Sequence, residues 1–141
     1  MKSICLFSDG SCLGNPGAGG WAYILRYQNH QKEASGGETY TTNNKMELKA
    51  VIEGLKAIKE PCKINLYSDS NYVVKGINEW LNGWVMKNFK NVKNQDLWSE
   101  YLKYSKDHKI TAFWVKGHDG HPENERCDEL ARAQAERING C

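Results

Sequence analysis

The sequence predicts an α/β fold built on a mixed five-stranded sheet flanked by helices. Three runs with strand character follow one another at about residues 3–9, 21–27 and 31–41, and their short connections favour antiparallel neighbours. Two further strands, at about 63–69 and 110–116, alternate with helical segments, and strand–helix–strand units add parallel strands. We therefore expect three antiparallel strands followed by two parallel ones.

Four segments carry the helical spacing of apolar residues. They are predicted at 43–59, 71–81, 96–107 and from Pro122 to about Ile138, because proline is favoured in the first turn of a helix. The residues expected to face inward are Leu48, Val51, Ile52, Leu55 and Ile58 in the first; Val73, Val74, Ile77, Trp80 and Leu81 in the second; and Leu97, Trp98, Tyr101 and Leu102 in the third.

The length and composition indicate a single globular domain covering residues 1–141. No apolar run is long enough for a membrane span, and the N-terminus turns polar too early for a secretory signal, so we expect a cytoplasmic protein without a membrane partner. The five cysteines lack metal-ligand spacing, and Cys5, Cys62 and Cys127 lie in or beside apolar runs. They are interpreted as buried, unreactive thiols.

Positive charge is concentrated in one segment. Residues 84–109 contain six lysines against three acids, whereas the net charge of the whole chain is only +2. If the protein binds a polyanion, this segment should contact it.

Four acidic residues are candidates for one site. Asp9 and Asp69 each end a strand, where open α/β sheets place their sites, but a turn aspartate and a helix N-cap are the simpler explanations. Ser70 and Asn71 could cap that helix instead of Asp69. Glu47, in the first turn of its helix, fits a capping box with Asn44, yet it also lies on the sheet-facing side.

The fourth candidate, Asp128, lies early in the last helix, next to Cys127 and three residues before Ala131. Four carboxylates brought together would repel one another unless a cation bound them. Oxygen ligands without histidine or cysteine favour Mg²⁺ or Mn²⁺ over zinc. His118 lies between glycines in a loop and is a candidate proton carrier, whereas His121 precedes Pro122 and is expected to position the start of the helix.

Together these segments resemble type 1 ribonuclease H, the bacterial ribonuclease HI family, over nearly the whole chain. The matching runs are SDGSCLGNPG (8–17), TTNNKMEL (41–48), SDSNYV (68–73), VKNQDLW (92–98) and WVKGHDGHPENERCDELA (114–131). The resemblance implies the ribonuclease H-like fold and an endonuclease that cuts the RNA strand of RNA/DNA hybrids with two Mg²⁺ ions, leaving 5′-phosphate and 3′-hydroxyl ends. Mn²⁺ is a possible substitute, and a monomer without an appended hybrid-binding domain is expected.

The resemblance also implies a role for each matching residue. Asp9, Glu47, Asp69 and Asp128 fall on the metal-binding acids, and His118 falls on a histidine that assists proton transfer or product release. Contacts to the RNA strand are implied for Asn15, Asn43, Asn44 and Asn71. Thr42 and Asn94 fall on a pocket for a DNA phosphate, and Trp80 and Trp84 begin a basic protrusion that lies against the DNA.

The sequence departs from the family's pattern at three places. The protrusion, residues 84–93, is shorter and less basic than in well-known bacterial members, so weaker hybrid binding is expected. Asn71 replaces a common glutamine, and Asp119 adds negative charge beside His118.

Two rival functions remain as alternatives. A related integrase- or resolvase-type nuclease would place its glutamate late in the chain, unlike Glu47. A non-catalytic hybrid-binding module would not need all four acids.

Overall fold

The computed structural model describes residues 1–116 and 121–140. Its sheet has five strands in the order β3-β2-β1-β4-β5. Strands β1, β2 and β3 are antiparallel neighbours, and β4 and β5 add in parallel beyond β1. The strands are β1 (Lys2–Leu13), β2 (Gly17–Tyr27), β3 (His30–Thr41), β4 (Cys62–Ser68) and β5 (Lys109–Trp114). The predicted fold class is confirmed.

Five α-helices accompany the sheet in the described ranges: α1 (Asn43–Lys56), α2 (Asn71–Lys75), α3 (Leu81–Met86), α4 (Gln95–Ser105) and α5 (Pro122–Asn139). None of the helices in the described part of the chain is long and apolar enough to cross a membrane. The predicted start of the last helix at Pro122 is confirmed, and this proline occupies the first turn.

The first strand is longer than predicted, and this changes the position of Asp9. β1 continues to Leu13 because its antiparallel pairing with β2 runs on to Ala18. Its parallel pairing with β4 stops earlier, where Phe7 lies opposite Tyr67. Asp9 therefore does not end a strand or begin a turn. It lies within β1, just beyond the point at which β4 has ended.

The predicted helix 71–81 is interrupted. A π-helical segment, Gly76–Trp80, joins α2 to α3, and helical structure continues to Met86. The indole of Trp98 packs directly on Gly76, where a Cβ atom would lie 2.3 Å from the ring. The prediction that Trp80 faces inward is wrong, because Trp80 is 39% exposed. A distant tryptophan thus packs against the backbone of this segment at its first π-helical residue.

The two faces of the sheet are covered by different helices. α1 packs on one face through Leu48, Val51 and Ile52, as its apolar stripe predicted, and α4 adds the buried Trp98 beside it. α5 covers the opposite face with small residues. Cys62 and Cys127 are buried as predicted, whereas Cys5 and Cys12 are only partly buried.

Candidate active site

Three of the predicted acids meet at one edge of the sheet. One carboxylate oxygen each from Asp9, Glu47 and Asp69 lies within 4.8 Å of the others. Asp9 projects from the part of β1 that β4 leaves unpaired, and Asp69 follows the last residue of β4. The α1 helix brings Glu47 over the same point. Asp9 is buried, and the other two are partly buried.

Glu47 is held by the strand that carries Asp9. Its Oε1 accepts a hydrogen bond of 2.6 Å from the backbone N–H of Gly10. The N-cap of α1 is Thr42, whose hydroxyl accepts from the N–H of Lys45, so the capping box with Asn44 is wrong. Because the helix starts at Asn43, Glu47 lies just beyond the first turn rather than within it. Its side chain is left available to the site.

Gly10 is a functional position that the sequence reasoning missed. A Cβ atom at this position would lie 2.4 Å from the backbone nitrogen of Glu47 and from the carbonyl carbon of Met46. Only glycine lets α1 approach β1 this closely. The signal in the sequence is the Asp9-Gly10 pair, which by itself favours a turn rather than a close approach of a helix.

Asp69 does not cap the following helix. Ser70, one of the two alternative caps predicted from the sequence, caps α2 instead. Its hydroxyl accepts a hydrogen bond from the N–H of Val73. The indole N–H of Trp114 donates to the backbone carbonyl of Asp69 at 3.0 Å. β5 therefore fixes the backbone from which the Asp69 carboxylate projects, and that carboxylate joins the acidic cluster.

The electrostatics of the cluster favour a bound cation. Burial, followed by the negative charge of Asp69, raises the pKa of Asp9 to about 8. Burial and the charges of Asp9 and Asp69 raise the pKa of Glu47 well above its ordinary value. A cation at this point would offset the repulsion, and the all-oxygen donor set suits a hard divalent ion such as Mg²⁺ or Mn²⁺.

The fourth acid lies beside this cluster rather than within it. Asp128 is placed by α5, whose neighbouring Cys127 is fully buried against the sheet. Its Oδ2 forms an ion pair of 3.1 Å with Nη2 of Arg132, one turn further along the helix. Its negative charge still contributes to the raised pKa of Asp9. The structure therefore separates three clustered carboxylates from a fourth that already has a partner.

Of the two candidate histidines, only His121 lies within the described residues. His118 and Asp119 lie outside the described residues. His121 immediately precedes α5, and its ring packs against Tyr67 with centroids 5.2 Å apart. This contact agrees with the expectation that His121 positions the start of the helix.

Four of the predicted substrate contacts line one pocket of about 400 Å³ between the start of α1 and the start of α4. They are Asn15, Thr42, Asn44 and Asn94. Two lysines also line it, Lys45 and Lys93, and neither was assigned a specific contact from the sequence. The hydrogen-bond donors and positive charges of these side chains make the pocket suitable for an anion.

The other predicted substrate contacts are not among the residues that line this pocket; they are Asn43, Asn71, Trp80 and Trp84. Asn43 and Asn71 are exposed, and the backbone N–H of Asn43 donates to Oδ1 of Asn15. The rings of Trp80 and Trp84 lie 5.8 Å apart, and Trp84 packs edge-on against the buried Trp98. Trp80 is thus exposed just before the predicted protrusion, and Trp84 joins the protrusion to the core.

Comparisons with known proteins agree on one family. The RNase H family model matches residues 1–136. A Ribonuclease H of Campylobacter concisus is 69% identical over 138 residues, covering 98% of this chain and 96% of that protein. A Ribonuclease HI of Helicobacter pylori is 59% identical, covering 97% and 96%. The crystal structure of LC9-RNase H1, a type 1 RNase H with the type 2 active-site motif, superposes with a TM-score of 0.90 at 30% identity, covering 97% of this chain and 74% of that one.

Proposed function

This chain belongs to the ribonuclease H family, type 1, and from that premise we propose that it cuts the RNA strand of RNA/DNA hybrids with two Mg²⁺ ions held by Asp9, Glu47, Asp69 and Asp128. Its relatives and its fold support endonuclease activity on such hybrids. The observation that carries the metal assignment is the cluster of three carboxylate oxygens within 4.8 Å.

Each acid has a distinct task in this proposal. Asp9, the most buried of the three, would contribute its carboxylate to both metal sites. Glu47 and Asp69 complete the first site, where their oxygens already lie together. Asp128 would contribute to the second site, and in the structure it is ion-paired with Arg132. Binding at the second site would therefore be weaker, because a cation there would compete with Arg132 for the Asp128 carboxylate.

The reaction is the hydrolysis of a phosphodiester bond, leaving a 5′-phosphate and a 3′-hydroxyl. Asp9, Glu47, Asp69 and Asp128 would hold two Mg²⁺ ions, which when bound would supply an activated water, charge neutralisation at the phosphate and stabilisation of the leaving 3′-oxygen. The chain itself holds the carboxylates in place through the Gly10–Glu47 hydrogen bond and the Trp114–Asp69 hydrogen bond. His118, outside the described residues, is proposed to move a proton or to assist product release.

Discrimination of the hybrid rests on contacts with both strands. Asn15, Asn43, Asn44 and Asn71 are proposed to contact the RNA strand, because an amide can both donate to and accept from a 2′-hydroxyl. Thr42 and Asn94 are proposed to grip a phosphate of the DNA strand in the pocket that they share with Lys45 and Lys93. Trp80 and Trp84 would contact the DNA beyond that pocket. The remaining expectations, a monomer in the cytoplasm, stay predictions.

Incubation with labelled substrates tests the proposal. The protein is mixed with an RNA/DNA hybrid, an RNA duplex and a DNA duplex, in Mg²⁺, Mn²⁺ or EDTA, with Asp69→Asn as the inactive control. Cleavage of the RNA strand of the hybrid alone, dependent on metal and giving 5′-phosphate ends, is expected. Cleavage of the DNA duplex contradicts the assignment. Metal binding without cleavage would support the rival non-catalytic module.

A further inference from the structure

A hydrogen-bonded path leads from the hydrophobic core to the pocket at the start of α4. The hydroxyl oxygen of Tyr72 accepts a hydrogen bond of 2.8 Å from Nε1 of Trp98, a fully buried residue. The same oxygen accepts a second hydrogen bond, of 3.1 Å, from Nδ2 of Asn94. The rings of Tyr72 and Trp98 also pack together, with centroids 5.7 Å apart. Tyr72 is therefore held from the core side and holds Asn94 on the pocket side.

The side chain of Asn94 is not used to cap its helix. Asn94 occupies the N-cap of α4 with a left-handed backbone, φ +60° and ψ +36°, and makes no side-chain capping hydrogen bond. Asparagine tolerates this backbone better than most residues do. Since its amide does not bond to the helix, the hydrogen bond to Tyr72 decides which way that amide faces.

The structure gives the direction of both hydrogen bonds to the Tyr72 hydroxyl. An indole N–H can only donate, so the oxygen of Tyr72 must accept from Trp98. The second bond is made by the NH₂ group of Asn94, which has two hydrogens. One hydrogen goes to Tyr72, and the other stays available as a donor in the pocket. The opposite orientation would present the carbonyl oxygen in its place, which repels an anion.

We propose that Tyr72 is a positioning residue for substrate binding: its hydroxyl orients the Asn94 amide so that an N–H faces a phosphate of the DNA strand in the pocket of Thr42, Lys45 and Lys93. This inference rests on the proposed function, in which that pocket grips such a phosphate. Orienting the donor before binding lowers the entropy cost of the contact. Loss of the hydroxyl should therefore weaken binding without slowing the chemical step.

Steady-state kinetics on a labelled hybrid test the inference. Tyr72→Phe keeps the ring on Trp98 but removes the acceptor, and roughly a three- to tenfold rise in KM with unchanged kcat is expected. Asn94→Gly removes the amide and tolerates the left-handed backbone. In that background Tyr72→Phe should cause no further rise in KM. The matched control is Tyr101→Phe, which removes a hydroxyl from a buried ring on the same Trp98 and should leave KM unchanged.

A second measurement uses modified substrates. In a set of hybrids, single phosphates of the DNA strand are replaced by neutral methylphosphonates. Replacement of the phosphate that lies in the pocket should raise the KM of the wild-type protein. On that hybrid, Tyr72→Phe should cause no further rise in KM. Equal KM values for Tyr72→Phe and wild type on the unmodified hybrid overturn the inference. The inference is also overturned if Tyr72→Phe raises KM further in the Asn94→Gly background. It is overturned as well if Tyr101→Phe raises KM as much as Tyr72→Phe does.

The outcomes separate this inference from the function on which it rests. If the wild-type protein does not cleave the hybrid, the proposed function fails. If the wild-type protein cleaves it and Asn94→Gly raises KM while Tyr72→Phe does not, only the positioning role of Tyr72 fails.

Discussion

The backbone N–H of Gly10 donates to Oε1 of Glu47 at 2.6 Å and also bonds, at 3.0 Å, to Oδ1 of the adjacent Asp9. One peptide group thus joins two of the three clustered acids, although 37 residues separate Gly10 from Glu47 in the chain. The bond forms only because β1 and α1 touch backbone to backbone at Gly10.

Adding one methyl group at this point should separate the two acids. In Gly10→Ala the new Cβ would lie 2.4 Å from the backbone of Glu47, so α1 must move. We expect activity to fall at least tenfold, and the free energy of unfolding to fall by about 1–3 kcal/mol, as in other overpacked sites. Cleavage assays and urea unfolding measure the two effects. Gly83→Ala is the control for stability, because nothing lies within 4 Å of its added Cβ.

Stability should depend on pH through Asp9. Its pKa is raised from 3.8 to about 8 on folding, first by burial and then by the charge of Asp69. The folded chain therefore binds more protons than the unfolded chain between these two values, and the free energy of unfolding falls as pH rises between them. We expect metal-free protein to be less stable at pH 8 than at pH 5, and Mg²⁺ to restore stability by binding the folded form.

The variant Asp9→Asn isolates this effect. It cannot ionise, so at pH 8 in EDTA we expect its free energy of unfolding to exceed that of the wild type by about 1–3 kcal/mol, with activity lost. Urea unfolding at pH 5 and pH 8 makes the comparison, with the exposed Asp107→Asn as the control. The same decline in stability for Asp9→Asn and wild type would show that another group is responsible.

The neighbouring residues Asp69 and Ser70 should separate chemistry from capping. Ser70 caps α2, whereas Asp69 contributes its carboxylate to the cluster. Asp69→Asn should fold normally and still bind the hybrid without cleaving it. Ser70→Ala should lose about 1 kcal/mol of stability, the usual cost of removing a cap. Thermal unfolding and hybrid binding are measured on both variants, and a marked loss of stability in Asp69→Asn alone would reverse the assignment.

Removal of the fourth acid should affect one ion only. Because Asp128 lies outside the three-acid cluster, Asp128→Asn should keep the first Mg²⁺ site and weaken the second. Calorimetric titration of the variant with Mg²⁺ should show one binding event retained, and cleavage should need more Mg²⁺. Arg132→Gln keeps all four acids and removes the competing ion pair, so its second site should bind Mg²⁺ more tightly rather than more weakly. Loss of all Mg²⁺ binding in Asp128→Asn would place this residue in the first site.

Local patterns were sufficient for much of the fold. The spacing of apolar residues located β1, β2, β4, β5 and the stripe of α1, because burial on one face imposes a period that the sequence must carry. The same patterns failed between Gly76 and Met86. There the helix becomes π-helical at Gly76, where the indole of Trp98 packs on the backbone, and no local period records such a contact between segments.

For the four candidate acids too, part of the site followed from the sequence and part only from the tertiary structure. The sequence by itself determined which four carboxylates to consider, the family that they indicate and the sheet that would carry them. Only the tertiary structure decided that Asp9 lies within a strand, that Thr42 rather than Asn44 caps α1, and that Asp128 is paired with Arg132. It also brought Tyr72 to Asn94. The reason is physical: a residue's type limits what it can bind, whereas its partner is set by the long-range packing of strands and helices.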